Sequence, residues 1–186
     1  DSFPSGISAG TNLNIEGFKV YSAVESQYSG ECGSYSYWGS GRGGYYRWIT
    51  TWTCGGSYYQ YQGKNYRTRT QIYTVKIDKM GSVCQTDEYG GTYCSANAVE
   101  TYTLNRISPQ YDPWNSGGSI QGLQAIKAGS KIYVAYGYYP SYVSNPPSLY
   151  LHSFDTNTKA VGTELSKSSG ENFYNIKLGS DGNNVY

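Results

Sequence analysis

One histidine, one methionine and a charged fraction of 15% are what this 186-residue chain has least of. A lone His152 leaves the usual zinc ligand sets incomplete. No G-x-S-x-G, H-E-x-x-H or paired-carboxylate pattern occurs, so the common catalytic signatures are missing and no metal or cofactor is expected. No apolar run approaches the ~18 residues of a membrane-spanning helix, so no membrane span is expected. Lys and Arg (14) nearly balance Asp and Glu (13), and a net charge of +1 supplies no global attraction to nucleic acid or to an anionic membrane. The sequon N-x-S/T is absent as well, which excludes N-glycosylation by that rule.

What the chain has in excess is Gly (24) and Tyr (23), together about a quarter of its residues. Tyr, Thr, Val and Ile favour strands and frequent Gly supplies turns, so the expected class is all-β. Residues 1–6, Asp1-Ser2-Phe3-Pro4-Ser5-Gly6, read as a mature N-terminus from which any signal peptide has gone.

Cys32, Cys54, Cys84 and Cys94 are spaced by 22, 30 and 10 residues, which matches no C-x-x-C zinc pattern. Three disulfide pairings are open. Cys32–Cys54 and Cys84–Cys94 are favoured, because each pair brackets a Gly-rich segment able to fold back as a hairpin. The alternative is buried free thiols. Disulfides imply an oxidising compartment, hence secretion or exposure on a cell surface.

Two motifs recur. Gly17-Phe18-Lys19-Val20-Tyr21, Gly129-Ser130-Lys131-Ile132-Tyr133 and Gly182-Asn183-Asn184-Val185-Tyr186 share the form G-x-[KN]-[VI]-Y. Ile72-Tyr73-Thr74-Val75-Lys76-Ile77-Asp78 aligns with Leu149-Tyr150-Leu151-His152-Ser153-Phe154-Asp155. Each unit reads as strand, turn, strand, and such units cannot bury their apolar faces alone. The 53-residue interval between the last two G-x-[KN]-[VI]-Y copies suits one four-stranded propeller blade. The first interval, 112 residues, is too long for that and implies two blades or one blade with a large insertion.

The stretch Phe154-Asp155-Thr156-Asn157-Thr158-Lys159-Ala160-Val161-Gly162-Thr163, followed by residues 175–186, resembles the YVTN-type β-propeller repeat. That repeat pairs an "IDTATNKV" strand-turn-strand with an "SPDGKKVYV" hairpin and is common in surface-layer-like and quinoprotein-like propellers. The resemblance is best over 120–186, and Ser180-Asp181-Gly182 stands where the family has Ser-Pro-Asp-Gly. It implies a single β-propeller segment over 1–186: about two four-stranded blades and the start of a third, with a ring this chain does not close alone. The expectation is then a longer parent protein, or other chains, completing the ring. The strand from about Phe173 to Leu178 is expected to present an open edge there.

Residues 28–70 fit no repeat. They hold nine tyrosines, Trp38, Trp48 and Trp52, and five basic residues (Arg42, Arg47, Lys64, Arg67 and Arg69) against the single acid Glu31. They read as a disulfide-pinned Tyr/Gly-rich insertion with a hairpin tip near 39–44. Exposed Tyr, Trp and Arg are the residue types most used at binding surfaces, and aromatic faces also stack on sugars. The candidate binding residues are Tyr37, Trp38, Arg42, Tyr45, Tyr46, Arg47, Trp48 and Trp52. Their expected partner is protein, by self-assembly or through the remaining blades, with glycan as a second class. The bland alternative is that these aromatics only cover the scaffold's flank.

In the other Tyr-rich stretch, Tyr133, Ala135 and Gly137 alternate with Val134, Tyr136 and Tyr138, which predicts tyrosines on both faces of one strand. His152 alternates with Tyr150 and Phe154 and reads as a packing residue; Asp155 reads as a turn cap rather than a calcium ligand. The expected function is therefore binding or extracellular assembly through aromatic-rich loops. The alternative is the N-terminal part of an extracellular quinoprotein-like propeller enzyme, such as a tetrathionate hydrolase, with its catalytic residues largely outside this sequence. For that class the low charge density suits an acidic medium.

Overall fold

Alternating β-branched and aromatic residues separated by Gly-rich turns leave little choice but strands, and every regular element among the described residues is one. The structure, a computed structural model, describes residues 6–40, 43–54, 58–108, 117–141, 146–168, 173 and 175–186, with the backbone alone at 34, 35 and 50–52. The strands are β1 (Ser8–Ala9), β2 (Asn14–Ile15), β3 (Phe18–Cys32), β4 (Ser34–Ser40), β5 (Tyr46–Trp52), β6 (Tyr59–Tyr61), β7 (Lys64–Thr86), β8 (Thr92–Ile107), β9 (Gly118–Ala128), β10 (Lys131–Pro140), β11 (Ser148–Asp155), β12 (Val161–Ser168) and β13 (Gly179–Ser180). All ladders are antiparallel.

Two sheets dominate. The first runs β2-β3-β7, with β8 on the far edge of β7 and the short β6 on that same edge near its start. The second is a four-stranded meander, β9-β10-β11-β12. The recurring motifs occupy matching places in both. Val20 lies opposite Ile77 and Lys19 opposite Asp78; Ile132 lies opposite Phe154 and Lys131 opposite Asp155. The 112-residue interval thus holds one sheet with a long excursion between β3 and β7. The turn Glu16-Gly17, with φ of 46° and 82°, makes the two-residue connection whose twist suits the β2–β3 hairpin.

The core lies between the sheets. Phe18, Val20, Val75, Ile77 and Leu104 of the first meet Ala125, Ile132, Val134, Tyr136 and Phe154 of the second. Phe154, fully buried, makes a T-shaped contact with the Phe18 ring at 5.6 Å and a tilted one with the Tyr102 ring at 4.8 Å. On the other face of the second sheet, Ile126 and Ala135 pack with Leu178, backed by Ile176 and Val185. Tyrosines do stand on both faces of β10. Tyr136 and Tyr138 reach the first sheet, whereas Tyr133 packs in the Leu178 cluster and Tyr139 donates to the Phe173 carbonyl.

The strand expected from about Phe173 to Leu178 does not form: residue 173 and residues 175–178 are irregular, and 174 lies outside the described residues. Side chains and the N-terminal segment take its backbone groups instead. Gln124 donates to the Ile176 carbonyl at 2.6 Å and accepts from Leu178 N at 2.7 Å, while Gly10 N donates to the Leu178 carbonyl at 2.7 Å. β13 then pairs with β1 and bridges to Val185. Asp181 holds the intervening turn, accepting from the Asn183 and Asn184 amides, the Asn184 side chain and the Tyr186 hydroxyl, and these donors keep its carboxyl well below the usual carboxylate range.

Candidate functional site

β7 is buried only over its middle, where Ile72, Tyr73, Thr74, Val75 and Ile77 are covered. Its flanks, 64–71 and 80–86, are rich in Thr, Arg, Gln and Ser, so on either side the ladder leaves the core as a solvated ribbon. A two-stranded ribbon is marginal in water, and each of these two carries a disulfide. Cys32–Cys54 closes the β3 end, with Cα atoms 5.2 Å apart. Cys84–Cys94 joins two residues directly opposite each other in the β7–β8 ladder. Disulfide pairs of this kind are typical of extracellular proteins. The segment 28–70 therefore begins and ends inside strands: β3 and β7 carry it outward without a break.

Beyond Cys32 the chain makes a separate hairpin, β4–β5, whose strands pair only with each other among the described residues. At its base the Gly33 carbonyl accepts from Thr53 N, and Thr53 Oγ1 accepts from Gly33 N. Trp38 faces Trp48 directly across the ladder, with ring centroids 5.7 Å apart and planes at 71°. Tyr46, opposite Ser40, shares that face by alternation; Tyr37, opposite Ile49, lies on the other with Arg47. These residues are open to solvent: Trp38 is 58% exposed, Trp48 67%, Tyr46 67% and Tyr45 81%. Tyr37 and Arg47 are exposed as well. The sequence-derived set is thus gathered on one hairpin, except that Arg42 and the Trp52 side chain lie outside the described residues.

The ribbon behind the hairpin carries its own aromatic stack. Tyr28 lies flat on Tyr61 at 4.5 Å and tilts against Tyr66 at 5.5 Å. Lys64 pairs with Glu31 at 2.9 Å, and that bond raises the lysine pKa. Arg67 donates to the Thr53 carbonyl at 2.5 Å and Arg69 to Ser26 Oγ at 3.0 Å, so both keep their charge uncompensated by these bonds.

The opposite ribbon holds a feature that sequence reasoning missed. At its tip Asp87 Oδ1 accepts from Tyr89 N at 3.0 Å and Gly91 N at 2.7 Å, an Asx-type turn. Tyr89 is 88% exposed and Tyr93 also faces solvent. The signal was available, as Asp87-Glu88-Tyr89-Gly90-Gly91 is an acidic, aromatic turn between two cysteines.

His152 is buried, and its ring lies nearly parallel to those of Tyr136 and Tyr150, 5.8 and 5.9 Å away, while the two tyrosine rings stack on each other at 5.3 Å. Its Nε2 bonds the Tyr136 hydroxyl at 3.1 Å, its Nδ1 bonds Thr163 Oγ1 at 3.2 Å, and Asn105 donates to that same Tyr136 hydroxyl at 2.6 Å. Burial lowers the histidine pKa and raises that of Tyr136. The group joins the two sheets as a packed polar bridge. Asp155 caps its turn as expected, accepting from Asn157 N and Thr158 N at 2.9 Å each and from Ser130 Oγ at 3.0 Å. Comparison with family models, curated proteins and solved structures finds no match to this chain.

Proposed function

We propose that this chain is a secreted or cell-surface β-propeller segment that binds or assembles through its aromatic arms. Three features support the propeller reading. The repeated motifs sit in the same register in both sheets. The strand orders run the same way, with β3 against β9 and β8 against β11. The second sheet is covered on both faces, as a blade between two neighbours would be. A ring of such blades needs at least about four, so further blades from a parent chain or a partner belong to the proposal.

The binding reading rests on one observation: large aromatics stand exposed on a disulfide-anchored hairpin, none of whose described side chains belongs to the core. Trp and Tyr bury large area with few rotors, and the closed base limits the ordering cost of docking. The test is Trp38→Ala with Trp48→Ala, compared with the unchanged chain by sedimentation and on a panel of immobilised oligosaccharides. An association or retention weakened at least about tenfold in the double variant, with unchanged circular dichroism, supports the reading. Full retention by the variant, or no binding by the unchanged chain in either assay, overturns it.

A further inference from the structure

We infer that the partner is a second copy of this chain, bound head to tail: the acidic tip of the β7–β8 ribbon of one molecule docks on the basic aromatic arm of the next. This rests on the binding reading above and names the partner. β7 runs unbroken from Lys64 to Thr86, 23 residues, a contour of at most about 70 Å at ~3.3 Å per residue. The basic arm leaves from one end and the acidic tip from the other.

The two ends are complementary in charge. Residues 80–99 contain Asp87 and Glu88 and no Lys or Arg. Residues 28–70 contain five basic residues against Glu31, which is taken by Lys64. Arg47, Arg67 and Arg69 are therefore left as charge on an exposed surface. Both ends also present aromatic area, Trp48 and Tyr46 on one and Tyr89 and Tyr93 on the other. Both are held in shape beforehand, each by a disulfide and the tip also by the Asp87 turn, which reduces what association must order.

Charge also selects the mode. Pairing like ends about a two-fold axis sets arginine against arginine or carboxylate against carboxylate, which repels. Pairing unlike ends is attractive and, because the two patches lie at opposite poles, it does not close on itself. The expected product is an open chain of copies that dissociates as salt screens the pairs.

Sedimentation velocity over a concentration series reads this directly. The unchanged chain is expected to associate at low ionic strength and to dissociate as salt rises. Asp87→Lys with Glu88→Lys, and separately Arg47→Glu with Arg69→Glu, are each expected to weaken association by at least about tenfold. Mixing the two variants restores it, because each reversed end then meets an opposite charge on the other protein. The milder pairs Asp87→Asn with Glu88→Gln, and Arg47→Gln with Arg69→Gln, give intermediate loss and guard against misfolding, which circular dichroism monitors. Three results overturn the inference: a chain that stays monomeric to its solubility limit, arm variants that abolish association while tip variants leave it intact, or a mixture that is not restored. A monomer that still binds oligosaccharide through Trp38 and Trp48 overturns self-association and leaves the binding reading standing.

Discussion

Tyr136 and Tyr138 stand two residues apart on one face of β10, both buried, yet their hydroxyls meet different surroundings. Tyr136 is bonded by Asn105 and His152, whereas the Tyr138 hydroxyl has no hydrogen-bond partner among the described residues. Removing a satisfied hydroxyl strands its partners, while removing an unsatisfied one relieves a desolvation penalty. Tyr136→Phe is therefore expected to destabilise by about 1–3 kcal/mol, and Tyr138→Phe to be neutral or to stabilise by up to ~1 kcal/mol. Urea unfolding separates the two. His152 adds a pH term. In the unfolded chain the imidazole protonates near pH ~6.5, whereas burial keeps it neutral to lower pH in the folded chain. Below that pH the unfolded state binds more protons, so this contribution is intact above it and declines as pH falls toward the folded value. Between about pH 7.5 and 5.5 the unchanged chain should lose more stability than His152→Gln.

At the scale of elements, the ribbons and the β4–β5 hairpin are separable from the core. Deleting Gly33 to Thr53, with Cys32 and Cys54 changed to serine, is expected to leave the packing of Val20, Val75 and Ile77 in place. A thermal midpoint that collapses, rather than moving by a few degrees, would show that the hairpin is needed for folding. Replacing Cys84 and Cys94 by alanine releases a loop whose closure is worth about 3 kcal/mol if unstrained. Hydrogen exchange should then accelerate at 80–99 and stay slow at 73–77, because the latter amides belong to the buried part of β7.

The whole molecule depends on one inter-sheet core, and Phe154 lies at its middle, touching Phe18 and Tyr102 of the first sheet from the second. Phe154→Ala removes contacts on both sides and is expected to cost about 3–5 kcal/mol. Because neither sheet keeps its apolar face covered without the other, a single transition by circular dichroism is expected in both the unchanged chain and the variant. Two resolved transitions would mean that the sheets are independent units.

Composition and period-2 alternation, read from the sequence, determine the all-β class, the tyrosines on both faces of β10 and the turn at Asp155, because each depends on residues close along the chain. The repeats also carry the register: positions matched along the chain, Val20 with Ile132 and Ile77 with Phe154, meet across equivalent ladders. The two disulfides were legible for the same reason, each closing a local loop. Tertiary structure alone decided the rest. The segment at 175–178 reads as a strand, but Gln124 and Gly10, distant in sequence, take its backbone groups first. The clustering of Trp38 and Trp48 depends on a ladder register that local pattern leaves open in a hairpin with aromatic residues on both faces. The separation of basic and acidic poles follows from the unbroken length of β7. Charge counts along a sequence carry no direction in space, and only a strand that continues past both ends of its core places Arg69 and Asp87 on opposite sides of the molecule.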